Sequence, residues 1–161
     1  MSAMDMEELF SELSRVSGYI WQLGWAEGNG GNVSVNLGPV EWCHDALSTI
    51  PAKVAPDLIG LSFLATVSGS RFRDIAHAAE KNTIILRGTK KGWDVMSSPD
   101  DSAKPTSEWV SHAKIHSAIQ GKGYKVVMHS HPPKLIALTH MPGINEKTIN
   151  RILFGIHPEL R

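Results

Sequence analysis

The chain has 161 residues, 42% of them hydrophobic and 20% charged, with sixteen basic and sixteen acidic side chains that leave no net charge. At that length roughly two thirds of the unfolded surface can be buried, which excludes a disordered tail and is the size of one ordinary domain. The zero net charge excludes a polyanion footprint, so neither nucleic acid nor an anionic membrane is expected as a partner, and any anion must be caught by local groups.

The N-terminal MSAMDMEELF carries acids where a secretory signal would carry bases, and no apolar run is long enough to span a membrane; a cytoplasmic location is expected. Apolar residues at Leu9, Phe10, Leu13, Val16, Ile20 and Leu23 predict an amphipathic helix over 5–23, ended by Gly24. The period then changes. Val33, Val35 and Leu37 alternate with Asn32, Ser34 and Asn36, a half-buried strand entered through the glycine-rich turn at 29–32.

Residues 38–60 lack periodicity and read as an irregular excursion with a short helix; Cys43, the only cysteine, reads as a small, partly buried hydrophobe. FLATVSGS (63–70) is a strand running into a Ser-Gly turn. NTIILR (82–87) and GWDVM (92–96) form a hairpin whose turn is longer than two residues. After a polar stretch, TSEWVSHAKIHSAIQGKG predicts a helix with Thr106 or Ser107 as N-cap, Glu108 in the first turn and Gly121 as terminator. YKVVMHSH returns to strand. PPKLIALTH opens another helix with proline in its first turn, and NEKTINRILFG a last one, capped by Asn145 and stopped near Gly155. The order fits a mixed α/β domain with antiparallel neighbours, and parallel strands are also compatible with it.

His129 and His131 fall on one face of the predicted strand, about 6 to 7 Å apart at Cα, a spacing at which two imidazoles can chelate one divalent ion. Packed or surface histidines carry the same spacing, and a catalytic zinc needs a third protein ligand from elsewhere. Glu108 reads equally as a helix-dipole carboxylate and as a general base. The helix start around it, NGGN at 29–32 and Ser68-Gly69 are turns whose amides and short side chains can grip a phosphate. His112 and His116, at i and i+4 on a helix, form a possible ligand pair but are placed on a solvated face. The five tryptophans read as core or subunit contacts, since no basic patch surrounds them.

Taken in order, GWAEGNGGNVSV, TVSGS, PTSE and VVMHSHPPKLIALTH resemble the class II aldolase/adducin family over nearly the whole chain. The long stretch between the glycine-rich turn and the TSE motif is similar to that of members acting on L-rhamnulose 1-phosphate. The resemblance implies a single, mostly antiparallel sheet covered by helices. It implies a zinc-dependent retro-aldol enzyme releasing dihydroxyacetone phosphate and L-lactaldehyde, with one Zn²⁺ per subunit. It further implies a homotetramer with sites near subunit interfaces. Residue by residue, His129 and His131 would be zinc ligands and Glu108 the carboxylate that moves a proton at the substrate. Asn29, Gly31, Asn32, Ser68, Gly69, Thr106 and Ser107 would hold the phosphate. Glu159, acting from a neighbouring subunit, would serve the aldehyde side. The family's third zinc histidine lies beyond Arg161, so the chain is expected to correspond to the N-terminal portion of a longer member. Fuculose-phosphate aldol cleavage, pentulose-phosphate epimerisation, methylthioribulose-phosphate dehydration and a non-catalytic, adducin-like assembly role are the other activities the resemblance allows.

Overall fold

The computed structural model describes residues 6–156, in two compact units, one running to Ser130 and the other beginning at His131. In the first, α1 (Met6–Gln22) turns Leu9, Phe10 and Leu13 to the core, and Gly24 ends it in the left-handed region at φ +67°. The Trp25 N–H reaches back to the Ile20 carbonyl at 3.0 Å and the Gly24 N–H to Trp21 at 2.9 Å, the paired bonds of a Schellman stop. That expectation holds to within a residue at each end.

Six strands follow: β1 (Asn32–Gly38), β2 (Ser48–Pro51), β3 (Ser62–Thr66), β4 (Thr83–Gly88), β5 (Gly92–Ser97) and β6 (Val126–His129). They form one sheet in the order β2-β5-β4-β3-β1-β6 with every pairing antiparallel, so the parallel alternative falls. Alternation along the strands divides the core in two. On one face Val33, Val35, Leu64, Ile85 and Met96 pack with Leu13 of α1 and Ile75 of α2 (Phe72–His77). On the other, Phe63, Ala65, Ile84, Leu86, Trp93 and Val95 pack with Trp109 of α3 (Trp109–Ala118).

Several expectations are corrected. β1 is not half-buried: being central, it buries its polar face too, with Asn32, Ser34 and Asn36 all inaccessible. The excursion at 38–60 contains an edge strand, β2, and only a 3₁₀ turn at Pro56–Leu58. β2 shows no alternation because most of it is exposed; its backbone ladder with β5 defines it. Gly92 is what lets the two meet, since its φ is +148° and a Cβ there would lie 2.1 Å from the Ile50 carbonyl oxygen. The turn of the β4–β5 hairpin, Thr89 to Lys91, is longer than two residues, as expected. The short helix α2 has only Phe72 and Ile75 as buried anchors, too few for a readable period. Cys43 is exposed, not partly buried. Trp93 and Trp109 are core residues as read, whereas Trp21 and Trp25 are exposed.

The second unit contributes α4 (Pro133–Thr139) and α5 (Glu146–Ile156). Pro133 sits at the start of α4, where its missing N–H costs nothing. Asn145 caps α5: its Oδ1 accepts the Thr148 and Lys147 N–H groups at 3.2 and 3.0 Å, and Thr148 Oγ1 accepts the Asn145 N–H at 2.7 Å. No described helix is long and apolar enough to cross a membrane.

Candidate functional site

The site is built where β1, β6 and the start of α3 converge. Gly31, at φ +84°, brings the glycine-rich turn against the end of β6; a Cβ there would sit 2.6 Å from the His129 carbonyl oxygen and 2.9 Å from the Phe72 ring. The chain then enters β1 with Asn32 directly opposite His129 in the antiparallel register, so both side chains stand on the α3 face of the sheet. Glu108 arrives from the other side. The Thr106 N–H donates to the Thr66 carbonyl at 2.8 Å, and Val67 and Pro105 form a bridge, which together fix the approach to α3.

Glu108 itself occupies the N-cap position of α3, one residue after Ser107 and two after Thr106, and its side chain makes no capping bond. Thr106 Oγ1 accepts only a long bond, 3.4 Å, from the Glu108 N–H. This places the carboxylate at the helix mouth beside His129, whose Nδ1 donates to Glu108 Oε2 at 2.7 Å. Both side chains are partly open to solvent, 43% for Glu108 and 39% for His129. Desolvation pushes the Glu108 carboxyl up, but hydrogen bonds from Asn32 and His129 and the nearby imidazole charges outweigh it and hold it below its usual value. Glu108 is therefore ionised near neutral pH.

Below this rim lie two residues misplaced by the sequence reading. His112 and His116 do not face solvent; they are 2% and 0% exposed. Ser34 Oγ lies 2.7 Å from His112 Nδ1 and 2.8 Å from His116 Nε2, while His112 Nε2 bonds the Asn32 side-chain oxygen. Burial lowers the pKa of both rings, that of His116 to about 4, and the Glu108 charge opposes this at His112 without reversing it. Both are neutral at pH 7. The signal in the sequence was the polar face of β1: Asn32 and Ser34 are buried and require buried partners.

The other predicted residues are placed as follows. The Ser68 N–H donates to the Lys104 carbonyl at 2.8 Å, which sets the Ser68-Gly69 turn beside the approach to Glu108. Ser68, Gly69, Asn29 and Ser107 are exposed, and Thr106 is buried. The amides of Gly30, Ser68 and Thr106 bond within the protein. A cleft of about 270 Å³ opens next to Gly28 and carries Arg71 and Arg73, two cations not singled out from the sequence. β6 ends at His129, so His131 is not on the strand; it begins the second unit and is exposed. Glu159 lies outside the described residues.

Among the described residues no group of three metal-ligating side chains comes together. The residues of the first unit nevertheless suit a cation. With its Nδ1–H given to a carboxylate, a histidine has its tautomer fixed and keeps the Nε2 lone pair, the arrangement that commonly orients metal-binding imidazoles.

Residues 11–158 match the family described as Class II Aldolase and Adducin N-terminal domain. Rhamnulose-1-phosphate aldolase of Bacteroides thetaiotaomicron is 31% identical over 94% of this chain and 60% of its own length. That of Enterococcus faecalis is 33% identical over 92% and 57% respectively. The chain thus spans somewhat over half the length of the curated relatives it matches. The solved sugar-phosphate aldolase from Thermotoga maritima superposes with a TM-score of 0.82 at 24% identity, covering 96% of this chain and 65% of that one, a likeness of fold.

Proposed function

Because this chain belongs to the class II aldolase/adducin family, we propose that it forms the N-terminal part of a zinc-dependent aldolase that reversibly cleaves L-rhamnulose 1-phosphate to dihydroxyacetone phosphate and L-lactaldehyde. The observation that carries the reading is the contact of Glu108 Oε2 with His129 Nδ1 at 2.7 Å, at a helix mouth open to solvent. The similarity to rhamnulose-1-phosphate aldolases supports the choice of sugar.

His129 would hold one Zn²⁺ per subunit together with His131, which is assigned on its sequence spacing alone. The metal, when bound, supplies a Lewis acid for the negative charge that develops on the ketose oxygens. Glu108 moves the proton. In the direction of synthesis its carboxylate takes a proton from the hydroxymethyl carbon of dihydroxyacetone phosphate, and in cleavage it returns that proton to the same carbon. Glu159 of a neighbouring subunit would take the hydroxyl proton as the aldehyde forms, within a homotetramer whose sites lie near its interfaces. Asn29, Gly31, Asn32, Ser68, Gly69, Thr106 and Ser107 hold the phosphate, which provides binding energy remote from the reacting carbons. Of these, Asn32 also touches Glu108 and so links grip to chemistry.

Coupled detection of dihydroxyacetone phosphate released from L-rhamnulose 1-phosphate tests the reading. Glu108→Gln is expected to lower the rate by about 10²- to 10⁴-fold, the usual worth of a positioned acid–base group, while zinc content stays unchanged. Full activity in that variant would remove Glu108 from the mechanism.

A further inference from the structure

Glu108, His112 and His116 lie four residues apart on one stripe of α3, descending from solvent into the core. The known family chemistry has no step for the lower two. We propose that His112 is a positioning residue for Glu108: it fixes the Asn32 side-chain amide so that its N–H points at the Glu108 carboxylate, at the end of a one-way chain of hydrogen bonds that starts at His116.

The direction of the chain follows from which groups can donate. Asn32 turns its side-chain oxygen inward, where it meets His112 Nε2, and so presents its NH₂ to the Glu108 carboxylate. An amide oxygen only accepts, so His112 Nε2 carries the proton. The ring is neutral, which leaves the lone pair on Nδ1. Ser34 Oγ, 2.7 Å from that lone pair, gives it its single proton and can then only accept from His116 Nε2 at 2.8 Å. His116 is left with a bare Nδ1, and that atom is a buried imidazole nitrogen that has no hydrogen-bond partner. The unpaired group at the end of the chain is an acceptor, the less rare kind of buried orphan. The orientation of the Asn32 amide at Glu108 therefore sets two tautomers as deep as His116.

This inference rests on Glu108 being the proton-moving group, but its signature is a tautomer and not a turnover. Failure to cleave the sugar phosphate would remove the proposed function and leave the tautomers as they are.

The test uses the ¹⁵N-labelled full chain at pH 7, with long-range ¹H–¹⁵N correlation of the imidazoles. Both His112 and His116 are expected as neutral Nε2–H tautomers. An Nδ1–H tautomer at His112, or a charged ring there, overturns the proposal. A pair of variants separates positioning from packing, because a glutamine amide places its NH₂ near the histidine Nε2 and an asparagine amide near Nδ1. Exchange protection of the Asn32 side-chain amide is expected to stay within about threefold in His112→Gln and to fall about tenfold in His112→Asn, the worth of one lost hydrogen bond. Equal losses in the two variants would mean that His112 merely fills space.

Discussion

The two ends of the α3 stripe make opposite use of the same helix. At its mouth Glu108 is 43% exposed, ionised and paired with a histidine that stands on the edge strand β6. Two turns deeper His116 is fully buried, neutral and tilted against the Phe63 ring, with the ring centroids 5.0 Å apart. The difference is solvent, not spacing. Water lets Glu108 carry its charge, and its exclusion forces His112 and His116 to be neutral donors and acceptors in a buried network.

That contrast can be broken from the bottom upward. Phe63→Ala would empty the space under His116 and beside Trp93 and Trp109. Chemical denaturation is expected to show a loss of about 3–5 kcal/mol, typical of a buried aromatic truncated to alanine. Acid is the next largest perturbation. His116 has an ordinary pKa of 6.5 and one of about 4 when folded, so the unfolded chain takes up its proton first. Stability is then complete above about pH 6.5 and falls as the pH drops toward 4, by on the order of 3 kcal/mol for this ring, with the curve flattening below. Denaturation midpoints measured between pH 8 and 4 check the sign; a midpoint that rises on acidification would contradict it.

Ser34→Ala removes one hydroxyl but strands two imidazoles, and about 1–3 kcal/mol of destabilisation is expected in the same denaturation experiment. At the rim, Glu108→Gln should cost less than about 1 kcal/mol of stability, because partly exposed ion pairs contribute little, even though it is the change expected to stop catalysis. A large loss of stability there would mean that the mouth of α3 is structural after all.

The contrast also explains what was legible in the sequence. Helix α1 and strands β3, β4 and β5 bury apolar faces, and alternation or a three-four spacing announces such faces directly. The α3 stripe inverts that rule. Its buried positions hold His112 and His116, while Val110 and Ile115 are 63% and 45% exposed, so apolar periodicity turns the helix the wrong way round. Only the complementary polar face of β1 could have corrected it, and that needs the β1–α3 packing to be known. Glu108 and His129 were legible because their types and order match a family motif, yet their mutual contact is set by long-range pairing of β1 with β6. The exposed edge strand β2 and the short α2 left no pattern to read.

Elemental analysis of zinc in the purified chain, beside the His129→Ala variant, tests the central claim most directly. With zinc added in excess, the account predicts more zinc bound by the native sequence than by the variant. Equal zinc in both proteins would contradict the assignment of His129 as a ligand and with it the metal-dependent aldolase.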